Sequence, residues 1–134
     1  MKTSEILSKA LELISKEENW TKDVLWRDKD DNPLDIEWSV GLGSITTVET
    51  PAKFCAAGAV QWVYETIEDK PMEGGYAEMV LLRQVRRSVD TDDLGVYNDD
   101  CTHDDIIRLF EAAIKESLAA ESQPNGISKL LGYE

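Results

Sequence analysis

The sequence is poor in most of what announces a chemistry. In 134 residues it holds one histidine and two cysteines, Cys55 and Cys101. Without a C-x-x-C pair these make neither a disulfide framework nor a redox motif. One histidine and two distant thiols are also too few for a zinc site. No apolar run approaches the roughly 20 residues that span a bilayer. Basic residues are scarce, with 14 Lys and Arg against 27 Asp and Glu and a net charge of −13. A duplex-binding protein needs a basic footprint, so direct nucleic-acid binding is not expected. An anionic membrane surface is excluded by the same sign of charge. Met1 to Trp20 alternates charged and apolar residues, unlike a secretory leader. The expectation is a cytoplasmic protein with both thiols reduced.

What is present is globular. The apolar fraction is 42% and four tryptophans are spread along the chain. The length suits a single domain over 1–134. A chain of this size buries roughly two thirds of its surface, so a core forms without staples.

Residues 4–18 read as an amphipathic helix, with Ile6, Leu7, Ala10, Leu11 and Ile14 at helical spacing and Thr3 or Ser4 as cap. Residues 20–49 then form an irregular arm or short hairpin around the turn cluster Asp30-Asp31-Asn32-Pro33. Thr50-Pro51 has the cap and first-position signature of a helix over 51–69. That helix is apolar on nearly every face, which predicts a central, buried element. Gly58 within it costs about 1 kcal/mol against alanine, so another backbone is expected to pass close by. "KPMEGG" breaks the chain ahead of a helix over 76–88, with Met79, Leu82 and Val85 inward and Arg83, Arg86 and Arg87 outward. "TDDLGVYNDD" reads as a loop. Thr102 and Asp105 have capping-box spacing for a last helix over 102–120. Residues 121–134 form a tail with room for one short helical turn. The fold class is mainly α: a compact four-helix domain around a buried central helix, with a short β-hairpin or extended arm.

A set of short motifs resembles a domain-of-unknown-function family found in bacteriophage and actinobacterial proteins. They are an amphipathic first helix ending near Trp20, a turn like "DKDDNPL", Phe54-Cys55-x-x-Gly58-Ala59, Tyr97-Asn98-Asp99, and a Thr-capped helix reaching Ala113-Ile114. The resemblance spans roughly residues 5 to 115. It implies a small helical domain and a phage origin, and it supplies no activity. Two features depart from the pattern: Asp31 stands where a glycine is usual in the turn, and the stretch from Ile36 to Glu49 is long.

Three function classes follow. The first is a non-enzymatic acidic protein that binds another, basic, protein. With the phage resemblance, this becomes an inhibitor of a host nucleic-acid-binding or defence protein. Between residues 90 and 105 there are seven aspartates and no Lys or Arg. Asp90, Asp92, Asp93, Asp99 and Asp100 are therefore the expected contact residues, with Trp26, Trp38 and Tyr76 as candidate anchors. The second class is a cysteine-dependent hydrolase or transferase using Cys55 and His103, with Asn98 or Asp99 as orienting group. A helix beginning at Pro51 starts too early for its dipole to activate Cys55, and a buried structural cysteine is the plainer reading. The third class is a structural or homo-oligomeric protein. "DKDDNPLDIEWS" opens like a calcium loop at Asp28, Asp30 and Asn32, then places Pro33 where glycine belongs and Ser39 where glutamate belongs. No metal and no cofactor are expected.

Overall fold

Ile6, Leu7, Ala10 and Ile14 recur at one helical face, and all four are fully buried. They form the inner stripe of α1, Thr3–Ile14, in a computed structural model that describes residues 2–34, 37–38, 45–46, 51–66, 73–89, 91 and 93–132. The helix is shorter than expected and gives way to a single 3-10 turn at Glu17–Asn19. Neither Thr3 nor Ser4 caps it. Both lie inside the helix and are buried. The Ser4 N–H of the first turn is served from a distance instead. The Glu121 carboxylate accepts from Ser4 N at 2.9 Å and from Ser4 Oγ at 2.7 Å. A carboxylate there also faces the positive end of the helix dipole.

The arm is built from two antiparallel pairs. β1, Trp26–Arg27, pairs with β4, Lys53–Phe54. Between them in sequence, β2, Glu37–Trp38, pairs with β3, Ile45–Thr46. An antiparallel pair is therefore present within the arm, but it lies after the Asp30–Pro33 turn instead of around it, and the strand before that turn pairs with β4. The Asp28 carboxylate accepts from Asp30 N and Asn32 N, both at 2.9 Å, which shapes the turn after β1. Asp31 stands at φ 71°, a left-handed conformation that favours glycine. Its carboxylate makes a 2.8 Å ion pair with Lys53.

This strand pairing corrects the start of the next helix. α2 runs Ala56–Thr66, not from Pro51. Lys53 and Phe54 are extended because they pair with Trp26 and Arg27, a partnership between distant segments that outweighs the local Thr-Pro signal. Thr50 and residues 67–69 lie outside the described residues. Gly58 behaves as expected: a Cβ there would lie 2.2 Å from the carbonyl oxygen of Leu25. Trp26 closes the same contact, its indole N–H donating to Gly58 O at 3.0 Å. Trp26 is 5% exposed, so it is a core residue and not a surface anchor.

α3, Glu73–Ser88, begins three residues earlier than expected and takes Gly74 and Gly75 into its first turn. The stretch expected to be a loop contains α4, Leu94–Asp100, whose N-cap Asp93 accepts from Val96 N at 3.1 Å. α5, His103–Glu121, carries the expected capping box: Thr102 Oγ1 accepts from Asp105 N, and Asp105 accepts from Thr102 N. A short α6, Gly126–Leu130, follows. α1 packs on α2, α3 and α5, while α2 also touches α3 and α4. The core lies between them, centred on Ile6, Leu7, Val80, Leu81, Ile106 and Phe110. Glu116 of α5 fastens α3, accepting from Arg83 Nε at 2.9 Å and from both terminal nitrogens of Arg87 at 3.0 Å. Among the described residues no helix is long and apolar enough to cross a membrane. The fold is thus mainly helical with a short antiparallel arm.

Candidate functional site

Two places bring chemistry-bearing residues together. The first is the start of α2. Because that helix begins at Ala56, Cys55 occupies its N-cap, the position at which a helix dipole most favours a thiolate. The environment opposes it. Cys55 is buried, and its Sγ accepts from Gly58 N at 3.2 Å, a capping bond. Burial, ahead of every other cause, pushes its thiol above the usual range, and Asp99 adds to the push. Cys55 is therefore a buried cap.

Asn98 lies beside it, fully buried, and uses its whole side chain. Its Oδ1 accepts from Ala56 N at 2.9 Å and from Trp20 Nε1 at 2.8 Å. Its Nδ2 donates to Thr21 O at 3.0 Å and to Asp99 Oδ1 at 3.3 Å. Two donors face the oxygen and two acceptors face the nitrogen, so the amide orientation is fixed by its partners. Asp99 Oδ1 also accepts from Asp23 N at 2.9 Å. His103 is buried, with Nε2 2.6 Å from the carbonyl oxygen of Ile14. A carbonyl only accepts, so Nε2 carries the proton and serves an orphan carbonyl at the end of α1. The ring also packs on Trp20, with centroids 5.6 Å apart. Cys55, Asn98, Asp99 and His103 each spend polar atoms on holding secondary structure in place, and none of these bonds joins Cys55 to His103.

The second place is a surface cleft of about 530 Å³, within the usual range for a ligand pocket. One wall is Val89 and Thr91, which follow α3. Another is Val96, Tyr97 and Asp100 of α4. Cys101 and Asp105 also line it. Val96 with Asp100, and Tyr97 with Cys101, are four residues apart, so α4 turns both pairs to the same side. Val89 and Val96 are 44% and 48% exposed, two of the four exposed large hydrophobics among the described residues. The cleft is electrically negative. Burial and then Asp105, with smaller additions from Asp100 and Asp99, push the Cys101 thiol up to about 11, against a partial offset from Lys22. Burial, Cys101 and Asp105 raise Tyr97. Asp105 itself is held below the usual carboxylate range by its bonds to Thr102.

Of the described residues expected to meet a partner, Asp100 alone lines this cleft. Asp93 is spent on capping α4 and Asp99 on Asp23 and Asn98. Asp90 and Asp92 lie outside the described residues, as does the side chain of Trp38. Tyr76 is half-buried in α3. Val89, Val96, Tyr97 and Cys101 were not expected at a surface site. The available signal was Asp93 three residues before Val96, a cap spacing that turns "LGVYNDD" into a helix with Val96 and Asp100 on one side. Among the described residues no three His, Cys, Asp or Glu side chains converge as a metal site requires.

Fold and site together define a small, acidic, mainly helical protein with an apolar cleft under a carboxylate rim. The chain belongs to the family of unknown function DUF6197, whose model matches residues 1–116. The matched span includes the cleft, the Asn98 clip and the Cys55 cap. No curated protein and no solved structure matches the chain.

Proposed function

We propose that the protein is a non-enzymatic binding protein that engages a basic protein partner through the cleft beside α4. The observation that carries this reading is the pairing of exposed Val89 and Val96 with the carboxylates of Asp100 and Asp105 around one concavity. Desolvated apolar surface supplies affinity, and a charged rim supplies steering and selectivity. A net charge of −13 makes association with a basic partner fast and salt-sensitive. It also sets two copies of the chain against each other, which favours a foreign partner over self-association. The resemblance to bacteriophage and actinobacterial proteins gives the partner a form: a host nucleic-acid-binding or defence protein whose basic groove an acidic surface occupies. A cysteine hydrolase is not favoured, because Cys55 is buried with its thiol pushed up.

Site-specific photo-crosslinking tests this. A benzophenone side chain at position 96 yields a discrete adduct with a basic protein in host extract, lost at high salt. Position 118, where Leu118 is 58% exposed on α5, is the control. No adduct at 96, or the same adducts at 96 and 118, rejects the reading.

A further inference from the structure

The cleft has an unequal distribution of spare charge. Asp105 is committed, its carboxylate bonded to Thr102 N within the capping box. Asp93 and Asp99 are likewise bonded to backbone N–H groups. Asp100 lies on the cleft, exposed, with no described residue bonded to its carboxylate. Beside it stand the Tyr97 side chain and the apolar faces of Val89 and Val96. Burial, with Asp105 beside it, raises both Cys101 and Tyr97, and Lys22 partly offsets the rise at Cys101.

We infer that this cleft seats an arginine or lysine side chain of the partner, its alkyl stem against Val89 and Val96 and its cationic head on Asp100. The inference rests on the protein-binding reading above and names what the partner inserts. Long basic side chains are built for such a place, because the stem buries apolar area while the head keeps a charged contact. A volume of about 530 Å³ admits the whole side chain. The negative lining selects a cation over an acidic or neutral side chain of the same length, since an acidic head would meet like charge there.

The probes are propylguanidinium and n-butylammonium, which are the two side chains without their backbone, with n-butanol as the uncharged control. Each is titrated into the intact protein and followed by amide NMR shifts. The cations are expected to give saturable shifts centred on Val96, Asp100 and Cys101, with affinity falling several-fold between roughly 0.02 and 0.2 M salt. Asp100→Asn and Val96→Ser, both exposed and so safe for folding, each weaken the shifts several-fold. Equal shifts with n-butanol, shifts spread evenly over the acidic surface, or full cation binding by Asp100→Asn each overturn the inference. The two readings fail separately. Cleft-centred cation binding without a crosslink at position 96 removes the protein partner and keeps the subsite. A crosslink that survives while Asp100→Asn binds the cations fully removes the subsite and keeps the partner.

Discussion

The side-chain oxygen of Asn98 accepts a hydrogen bond from the first backbone N–H of α2, at Ala56, 2.9 Å away. That bond joins α4 to the start of α2, and the same amide reaches Trp20 and Thr21. Asn98→Leu leaves the Ala56 and Trp20 N–H groups and the Thr21 carbonyl without their partner. Each orphaned buried group costs about 1–3 kcal/mol, so the variant is destabilised by several times a typical surface change. Urea unfolding measures this, and an unchanged midpoint would mean that the clip is dispensable.

Gly58→Ala runs against helix propensity. On an open helix face the change stabilises by up to about 1 kcal/mol. Here the new Cβ would sit 2.2 Å from Leu25 O and 2.9 Å from Leu25 C, both backbone atoms that cannot rotate away. The expected result is a net loss of about 1–3 kcal/mol as the arm is pushed off α2. Gly58→Ala in thermal unfolding shows the sign directly.

The thiols give a pH dependence. Cys101 keeps its proton to about 11 in the folded chain, against an ordinary value of 9.0. The folded state therefore binds the proton more tightly, and this contribution to stability falls as pH rises from about 9 to about 11. Cys101→Ser removes that part of the alkaline loss. Cys55, raised by burial, is expected to resist iodoacetamide near neutral pH until the protein unfolds. Rapid alkylation of native Cys55 would return the hydrolase reading to contention.

Ser117 is the exception among buried polar side chains. Its Oγ is the one buried side-chain N or O among the described residues without a hydrogen-bond partner. Ser117→Ala discards an unsatisfied hydroxyl and a helix-disfavouring residue together, so it raises stability by about 0.5–1.5 kcal/mol. A lower melting temperature for Ser117→Ala would reveal a partner for that hydroxyl.

The sequence carried the local signals well. The Thr102–Asp105 box and the stripe of Ile106, Leu109, Phe110 and Ala113 depend on residues three or four apart, and both are present, although Leu118, expected on the same inner face, is 58% exposed. The close approach at Gly58 was also readable, because a glycine in an apolar helix needs a spatial reason. The start of α2 was not. Pro51 has the right local chemistry for a helix, but Lys53 and Phe54 are claimed by Arg27 and Trp26 from far along the chain. Pairing between distant segments leaves no mark in a local window. α4 was hidden for a different reason. Gly95, Asn98 and Asp99 are turn formers, and their helix is held by the Asp93 cap and by burial of Leu94 and Asn98. Because α4 forms a wall of the cleft, missing the helix concealed the site. Asp100 was expected for its charge, while Val96 became visible only once α4 existed.

The outer strand pair also defines where this architecture accepts new sequence. Arg27 and Lys53 stand opposite each other, and Arg27 O accepts from Ala52 N at 2.9 Å, so the excursion between them leaves and re-enters the body at one doorway. Once the ends of a loop are tied, doubling its length costs only about 0.6 kcal/mol. Leu34, within that excursion, packs against the helical core, so a module exchanged there must keep Leu34 while its ends stay pinned at Arg27 and Lys53.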